Sequence, residues 1–332
     1  MMPAYREESE DNDAQECEPR AVQRPRARGD FRGRMTRKGL PMTAEPILVS
    51  GATGNVGRAV VERLLEAGVR VRAAGRTVES VQAAFGDRVE AVALDFTDKA
   101  TWRGAFTGVR RMFLLRPPQL GRPKTQMIPT LEHARELGLS QIVFLSLQGA
   151  ERNPVVPHAE IERWLRASGA SWTFVRASFF HQNLSTTHVS DIRDRDEIMV
   201  PAGHGRTSFV DAEDVGAVAA AALLSPAEHK DLAWTITGDE ALSYSQVADI
   251  LTAELGRPVR YTRPGALRYG LHARKRLGMP WGMVCVTIAI YTAARLGQAA
   301  GISADLAQVL GRAPRSFAEF AHRHRGVWDP TL

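Results

Sequence analysis

Cysteine is scarce in this chain of 332 residues, and its two copies lie far apart: Cys17 near the start and Cys285 within an apolar stretch. There is no C-x-x-C pair and no His/Cys cluster at ligand spacing. That argues against a disulfide framework or a zinc site, so no metal is expected and a reducing cytoplasm is the natural setting. Long apolar runs are lacking too. The longest, GMVCVTIAIYTAA (282–294), is too short to cross a bilayer and reads as a buried helix, so no membrane is counted among the partners. The start lacks the basic and apolar regions of a secretory signal, and nothing indicates export. Nor is charge strongly one-sided: 43 Lys and Arg against 37 Asp and Glu give +6, with a pI near 9.7. The excess arginines are scattered through predicted helices, as on an ordinary solvated surface, and nucleic acid is not an expected partner.

Residues 1–44 differ in kind from the rest. The first eighteen or so are mostly acidic and polar, and RPRARGDFRGRMTRKG (24–39) is rich in Arg and Gly. Such a segment cannot bury enough apolar surface to offset its ordering entropy, and disorder is expected. Two readings stay open: a basic arm for nucleic acid, or a stretch upstream of a translation start at Met42, four residues before the first strand.

From Pro46 the pattern becomes regular. PILVS (46–50), VRVRAA (69–74), VEAVAL (89–94), RRMFLL (110–115), QIVFLS (141–146) and SWTFVR (171–176) are short apolar or β-rich runs. Helical patterns such as VGRAVVERLLEAG and AEIERWLRASG separate them. Strand alternating with helix six times means a parallel sheet covered on both faces, so the fold class is α/β, a doubly wound Rossmann-type sheet spanning 45–177. Residues 178–332 alternate less strictly and predict a smaller α+β region, interleaved with the core and covering the substrate. Asp211 and Ser243 mark helix starts there, and helices are expected from about 264 to the end.

The run ILVSGATGNVGRAV (47–60) places Gly51, Gly54 and Gly57 after a predicted strand and at the opening of a predicted helix, the context a dinucleotide fingerprint requires. Gly51 permits the tight turn, Gly54 lets the backbone approach a pyrophosphate, and Gly57 allows close helix–sheet packing. With Thr53, Asn55 and Val56 they form the predicted phosphate loop, whose amides point at the anion from the helix N-terminus. The second strand ends in AAGRT, with Arg76 and Thr77 and no acid. A carboxylate there would hold the ribose 2′-hydroxyl of NAD(H). A guanidinium suits the 2′-phosphate, so NADP(H) is expected over NAD(H), with Arg76 as discriminator. Asp95 and Phe96 end the third strand, placed to meet adenine. Leu115 and Arg116 end the fourth, where backbone passes the nicotinamide ribose. Both placements are positional, and ordinary loop chemistry is their rival.

GATGNVGR, FLSLQGAERNPVVPHAEIERWLRASGASWTFVRASFFHQNL and FVDAEDVG together resemble the NmrA-like branch of the atypical short-chain dehydrogenase/reductase superfamily. The likeness runs over roughly 45–325. It implies one of two activities: NADPH-dependent reduction of quinones or other conjugated or dye acceptors, or cofactor sensing without turnover.

Most short-chain dehydrogenases carry Tyr-x-x-x-Lys, in which the lysine lowers the tyrosine pKa. Tyr5, Tyr244, Tyr261, Tyr269 and Tyr291 are the tyrosines here, and none begins that motif. Reducing a plain ketone leaves a basic alkoxide that needs a positioned acid, whereas a quinone yields a far more stable anion. A small quinone or conjugated carbonyl is therefore the expected acceptor, held above the nicotinamide. The resemblance puts Ser146 near the place of the superfamily's catalytic serine, with Gln148 beside the acceptor. His158 opens the next helix as a candidate proton donor, its ordinary pKa being near 6.5, or as a residue that only caps or packs. Glu160 and Glu162 read as first-turn charges. Phe179 and Phe180 stack on a flat acceptor or belong to the core, and Asn183 holds a loop or the carboxamide. Ala177 stands where similar sequences often carry proline. The reading is an NADP(H)-dependent oxidoreductase with a small-molecule acceptor, monomer or homodimer. Its alternative is a non-catalytic NADP(H) sensor acting on a protein partner, and a third is nucleic-acid contact through the arm.

Overall fold

The computed structural model describes residues 45–329. The expectations for residues 1–44, including the basic arm, Cys17 and a start at Met42, lie outside the described residues. The apolar runs form strands where the pattern places them. β1 (Ile47–Ser50) leads into α1 (Asn55–Glu66), β2 (Val71–Gly75) into α2 (Val78–Phe85), and β3 (Glu90–Ala93) into α3 (Trp102–Phe106). β4 (Arg111–Leu115) is followed by α4 (Pro123–Gln126) and α5 (Ile128–Glu136). β5 (Gln141–Leu147) is followed by α6 (Pro157–Ala167), and β6 (Ser171–Ala177) completes the expected six.

Period-two alternation sends successive side chains to opposite faces. Val49, Phe113, Val143 and Val175 join the core beneath α1, while Leu48, Met112, Ile142 and Phe144 join the core that also holds residues of α3, α5 and α6. Both faces are covered, which is why the strands read as nearly unbroken apolar runs.

Past Ala177 come α7 (Gln182–Ser185), α8 (Val189–Arg195), β7 (Glu197–Ile198), β8 (Arg206–Thr207), α9 (Ala212–Leu224), α10 (Pro226–His229) and β9 (Leu232–Ile236). The chain continues with β10 (Leu242–Ser243), α11 (Tyr244–Leu255), β11 (Arg260–Tyr261), α12 (Ala266–Lys275), α13 (Trp281–Arg295), α14 (Asp305–Leu310) and α15 (Phe317–Trp328). Asp211 caps α9 by accepting from the Glu213 amide, and Ser243 with Gln246 forms a capping box on α11, as those side chains predict.

The sheet does not stop at the boundary read at 177. β9 pairs in parallel with β6, from Thr173↔Leu232 to Ala177↔Ile236, and the order is β3-β2-β1-β4-β5-β6-β9. α9 belongs to the same half of the chain and lies on α1, so closely that a Cβ on Gly216 would stand 2.5 Å from Ala59 Cβ. The run AWTI has no local feature that says which strand it joins, so periodicity cannot place it. The remaining short strands pair as β8 with β10 and β7 with β11. Around them a separate core gathers Phe209, Tyr244, Tyr269, Tyr291, Phe320 and Trp328.

The apolar segment 282–294 is helical but not buried. Only Val284, Tyr291 and Ala294 of α13 are covered, while Trp281 is 56% exposed, Val286 52% and Ile290 43%. α13 packs along one side, where a Cβ on Gly270 of α12 would stand 3.5 Å from Val284 and Ile288, and its other flank is exposed among the described residues. An apolar composition on every side gives no sign of which side the fold leaves open. Among the described residues, no helix is long and apolar enough to cross a membrane.

Candidate active site

Because the strands are parallel, all their carboxyl ends lie along one edge, where crossing loops leave a crevice. At β1 the turn is built on glycine. Gly51 has φ +61°, a conformation in which a β-carbon is strained, and a Cβ there would stand 3.2 Å from Leu115 Cδ2. A Cβ on Gly57 would stand 2.1 Å from the Gly51 carbonyl oxygen, so α1 can leave the strand at this angle only with glycine there. Gly54 is the N-cap and has no side chain to cap with. The Arg58 amide is the first to bond back, to the Gly54 carbonyl at 2.8 Å, which leaves the Asn55, Val56 and Gly57 amides without intrahelical acceptors. Thr53, Gly54 and Asn55 are exposed, while Val56 and Gly57 are buried beneath the loop. The Leu115 amide donates to Ser50 Oγ at 2.8 Å and ties the end of β4 to that of β1.

At the end of β2, Gly75 has no room for a side chain, since a Cβ would meet Val81 Cγ2 at 2.7 Å. Arg76 follows it into solvent with no hydrogen bond or ion pair among the described residues. Thr77 caps α2, accepting from the Ser80 amide. An unpartnered guanidinium beside an uncapped helix N-terminus, with no acid at the strand end, is the donor set that a phosphorylated ribose and a pyrophosphate require. The residues present therefore fit NADP(H).

Other predicted positions are occupied differently. Asp95 accepts from the Thr97 amide and hydroxyl, both at 2.7 Å, and these bonds hold its carboxyl below the usual carboxylate range. Its carboxylate is engaged in its own turn. Phe96 is only 6% exposed and packs in the core with Leu94 and Trp102, so the expected aromatic face toward adenine is covered. The Arg116 guanidinium folds back onto the carbonyls of Pro117, Pro118 and Leu120 and staples the loop after β4.

Ser146 faces inward, where its hydroxyl donates to Glu162 Oε1 at 2.7 Å. Glu162 also accepts from Arg176 Nε at 3.0 Å and Nη2 at 2.7 Å, and from Arg166 at 3.1 Å. Burial raises the pKa of this carboxyl, but Arg176 and Ser146 outweigh it, and the net direction is down. Glu162 is therefore not the first-turn surface charge the sequence suggests: its register on α6 points it at β6, where Arg176, with Ser146 and Arg166, makes burial tolerable. The hydroxyl of Ser146 serves this network rather than the crevice. His158 lies against the Phe144 ring, 5.9 Å between centroids, with Arg116 Nε at 3.5 Å from its Nε2 and Nδ1 buried without a hydrogen-bond partner among the described residues. Burial and the neighbouring Arg116 charge push its pKa down to about 3. It is a neutral imidazole at physiological pH, so the expected imidazolium donor is not available.

After β6, Phe179 is half-buried against Phe209 and Tyr291, and Phe180 forms a parallel bridge with Val210. Asn183 is half-buried, and its amide turns back to the Phe180 carbonyl. His181 is enclosed by Phe209, Phe317 and Phe320, and burial lowers its pKa to about 4. Gln148 donates to the Gly301 carbonyl at 2.8 Å, and Ser208 Oγ lies 2.9 Å from the same oxygen. Sequence reasoning missed this strap. Residues 299–305 cross from β5 to β9, where the Thr235 amide donates to Asp305 and the Ser303 amide to Thr237, and QAAGISAD carries no pattern that announces it. Also missed is the anchor of the last helix: Asp211 and Asp214, both fully buried, hold Arg323, Arg312 and the Arg315 amide. A cleft of about 400 Å³ starts at Asn55 and Arg58 and runs along α1 past Gln182 and Glu213. A second, of about 350 Å³, lies along α6 and includes none of the glycine-loop residues.

Sheet order, glycine turn and uncapped helix define a Rossmann-type protein with the phosphate loop of the dinucleotide-binding class. The chain belongs to the NmrA-like family, whose model matches residues 43–268. It is 35% identical over 290 residues to an NAD(P)H azoreductase of Xenophilus azovorans, covering 85% of this chain and 99% of that one. The structure of an NADPH-dependent quinone oxidoreductase from Escherichia coli, complexed with NADPH, superposes with a TM-score of 0.73 at 24% identity, covering 83% of this chain and 99% of that one. NmrA, a negative transcriptional regulator solved with NADP, superposes at 0.68 with 18% identity, over 84% and 94% of the two chains.

Proposed function

We propose that this protein is an NADP(H)-dependent oxidoreductase that passes hydride to a small quinone or conjugated carbonyl without a Tyr-x-x-x-Lys pair. Bound NADPH supplies the hydride. Gly51, Gly54 and Gly57 bring backbone amides to the pyrophosphate, and Arg76 pairs with the 2′-phosphate. The azoreductase relative and the quinone oxidoreductase neighbour support the reading, since each name describes nicotinamide-dependent reduction of a conjugated acceptor.

The observation that carries the choice of acceptor is the lack, among the described residues, of a ready acid. Ser146 is bonded to Glu162, His158 is neutral, and Tyr244 and Tyr291 are buried, which raises their pKa values. With no group poised to give a proton, the acceptor must become a stable anion on its own, as a quinone does and a plain ketone does not. Phe179 then offers a ring edge for a flat acceptor, and the strap at Gly301 helps exclude water. NADPH consumption, followed by absorbance with a panel of quinones and simple ketones, tests this. Turnover with ketones equal to that with quinones refutes the acceptor class.

The same missing acid favours a second reading, a non-catalytic NADP(H) sensor. NADPH binding seen by fluorescence, with no consumption on any acceptor, selects it.

A further inference from the structure

The hairpin of α12 and α13 is unusual in both charge and surface. Between Glu254 and Asp305 the chain contains no acidic residue. Arg268, Arg274, Lys275, Arg276 and Arg295 on this hairpin are all exposed, and none is in an ion pair among the described residues. Beside them lie apolar side chains that a soluble surface ordinarily covers: Leu267 (87% exposed), Leu271 (54%), Trp281, Val286 and Ile290. Leu267, Leu271, Arg274 and Lys275 fall at i, i+4, i+7 and i+8, one stripe of α12. On α13, Trp281, Cys285 and Ala289 continue an exposed apolar flank that meets no charge until Arg295, and exposed Leu296 follows the helix. The inner flank is anchored: Tyr291 packs on Phe179, and a Cβ on Gly205 would stand 2.2 Å from the Ala294 carbonyl oxygen.

We infer that this hairpin docks on an anionic lipid surface, with the α13 flank entering the acyl boundary and the α12 cations meeting phosphates. An apolar helix with an interfacial Trp and a basic rim is the composition that lies in such a boundary. Charge argues against the other occupants. A second copy joined by a two-fold axis would set these cations against one another. Nucleic acid offers phosphates but nothing to cover Leu267, Val286 and Ile290. The sequence counted no membrane among the partners because no segment spans one, and docking needs no span. The contact would set Phe179, which Tyr291 touches, behind a surface where apolar acceptors dissolve. Docking itself does not depend on turnover.

The test uses the full chain with Cys17→Ser and an environment-sensitive dye on Cys285, which is exposed on the α13 flank. Vesicles of phosphatidylcholine and phosphatidylglycerol in a two-to-one ratio are compared with phosphatidylcholine alone. The expected result is cosedimentation with the anionic vesicles only, a blue shift of the dye, and loss of both at high salt. Reversing Arg274, Lys275 and Arg276 to Glu should lower partitioning by about 10²-fold or more. Ile290→Glu, which keeps every cation, should lower it too while melting and circular dichroism stay unchanged. No binding at low salt, equal binding to neutral vesicles, or indifference to the charge reversal overturns the inference. So does a dimer in sedimentation velocity that Ile290→Glu dissociates while vesicle binding is absent.

Discussion

Replacing Glu162 by Ala probes the least expected feature of the structure. The Glu162 side chain is 1% exposed and accepts from Ser146, Arg166 and Arg176. Its removal leaves the Arg176 side chain, itself 10% exposed, with Glu151 at 3.2 Å as its remaining anion, and the Glu151 side chain is 38% exposed. Breaking one side of a buried pair costs about 3–5 kcal/mol because the other charge stays behind. Glu151 tempers this, so the lower end, about 3 kcal/mol, is expected. In a chain of this size that corresponds to a fall of about 4–5 °C in melting temperature. Urea unfolding followed by tryptophan fluorescence would show a lower midpoint at constant slope.

Glu162→Met with Arg176→Met should recover most of the loss, because no uncompensated charge then remains. The pH dependence has a definite sign. The folded-state pKa of Glu162 lies below its unfolded value, so its stabilisation is complete above about pH 4.3 and is lost as pH falls through the folded value. The difference between wild type and Glu162→Ala should therefore be flat near neutrality and shrink only in acid. A loss under about 1 kcal/mol, or a double variant no better than the single one, would refute the reasoning.

Three further outcomes can be checked. Arg76→Ala should weaken NADPH by about 10–100-fold, the range of a charge-assisted contact, and leave NADH nearly unchanged in fluorescence titrations; equal losses would remove its assigned role. Gly57→Ala puts a methyl 2.1 Å from the Gly51 carbonyl oxygen, so the turn must move. It should cost about 1–3 kcal/mol and reduce cofactor affinity, measured by calorimetry. Gly216→Val should separate α9 from Ala59 on α1 and lower stability by a similar amount, about 1–3 kcal/mol, with cofactor binding less affected than in Gly57→Ala.

Sequence alone was enough to determine what depends on near neighbours. Six parallel strands follow from short apolar runs separated by amphipathic helices. The glycine turn follows from three positions within seven residues, because φ and close approach are local matters. The position of Arg76 just after β2 was legible because it is counted from the end of a single strand. The caps at Asp211 and Ser243 belong to the same class.

Tertiary structure decided whatever depends on partners distant in the chain. The seventh strand joins an edge laid down some sixty residues earlier. Ser146, Glu162 and Arg176 meet across three elements, so a hydroxyl read as catalytic becomes a hydrogen-bond donor to a buried carboxylate. His158 loses its proton affinity because the fold buries it, against Phe144, and sets the Arg116 charge beside it. The stretch 282–294 looks buried by composition, yet among the described residues the fold supplies neighbours on one flank alone. Hydrophobicity measures a residue's preference for burial, and only the packing of the whole chain determines which residues obtain it.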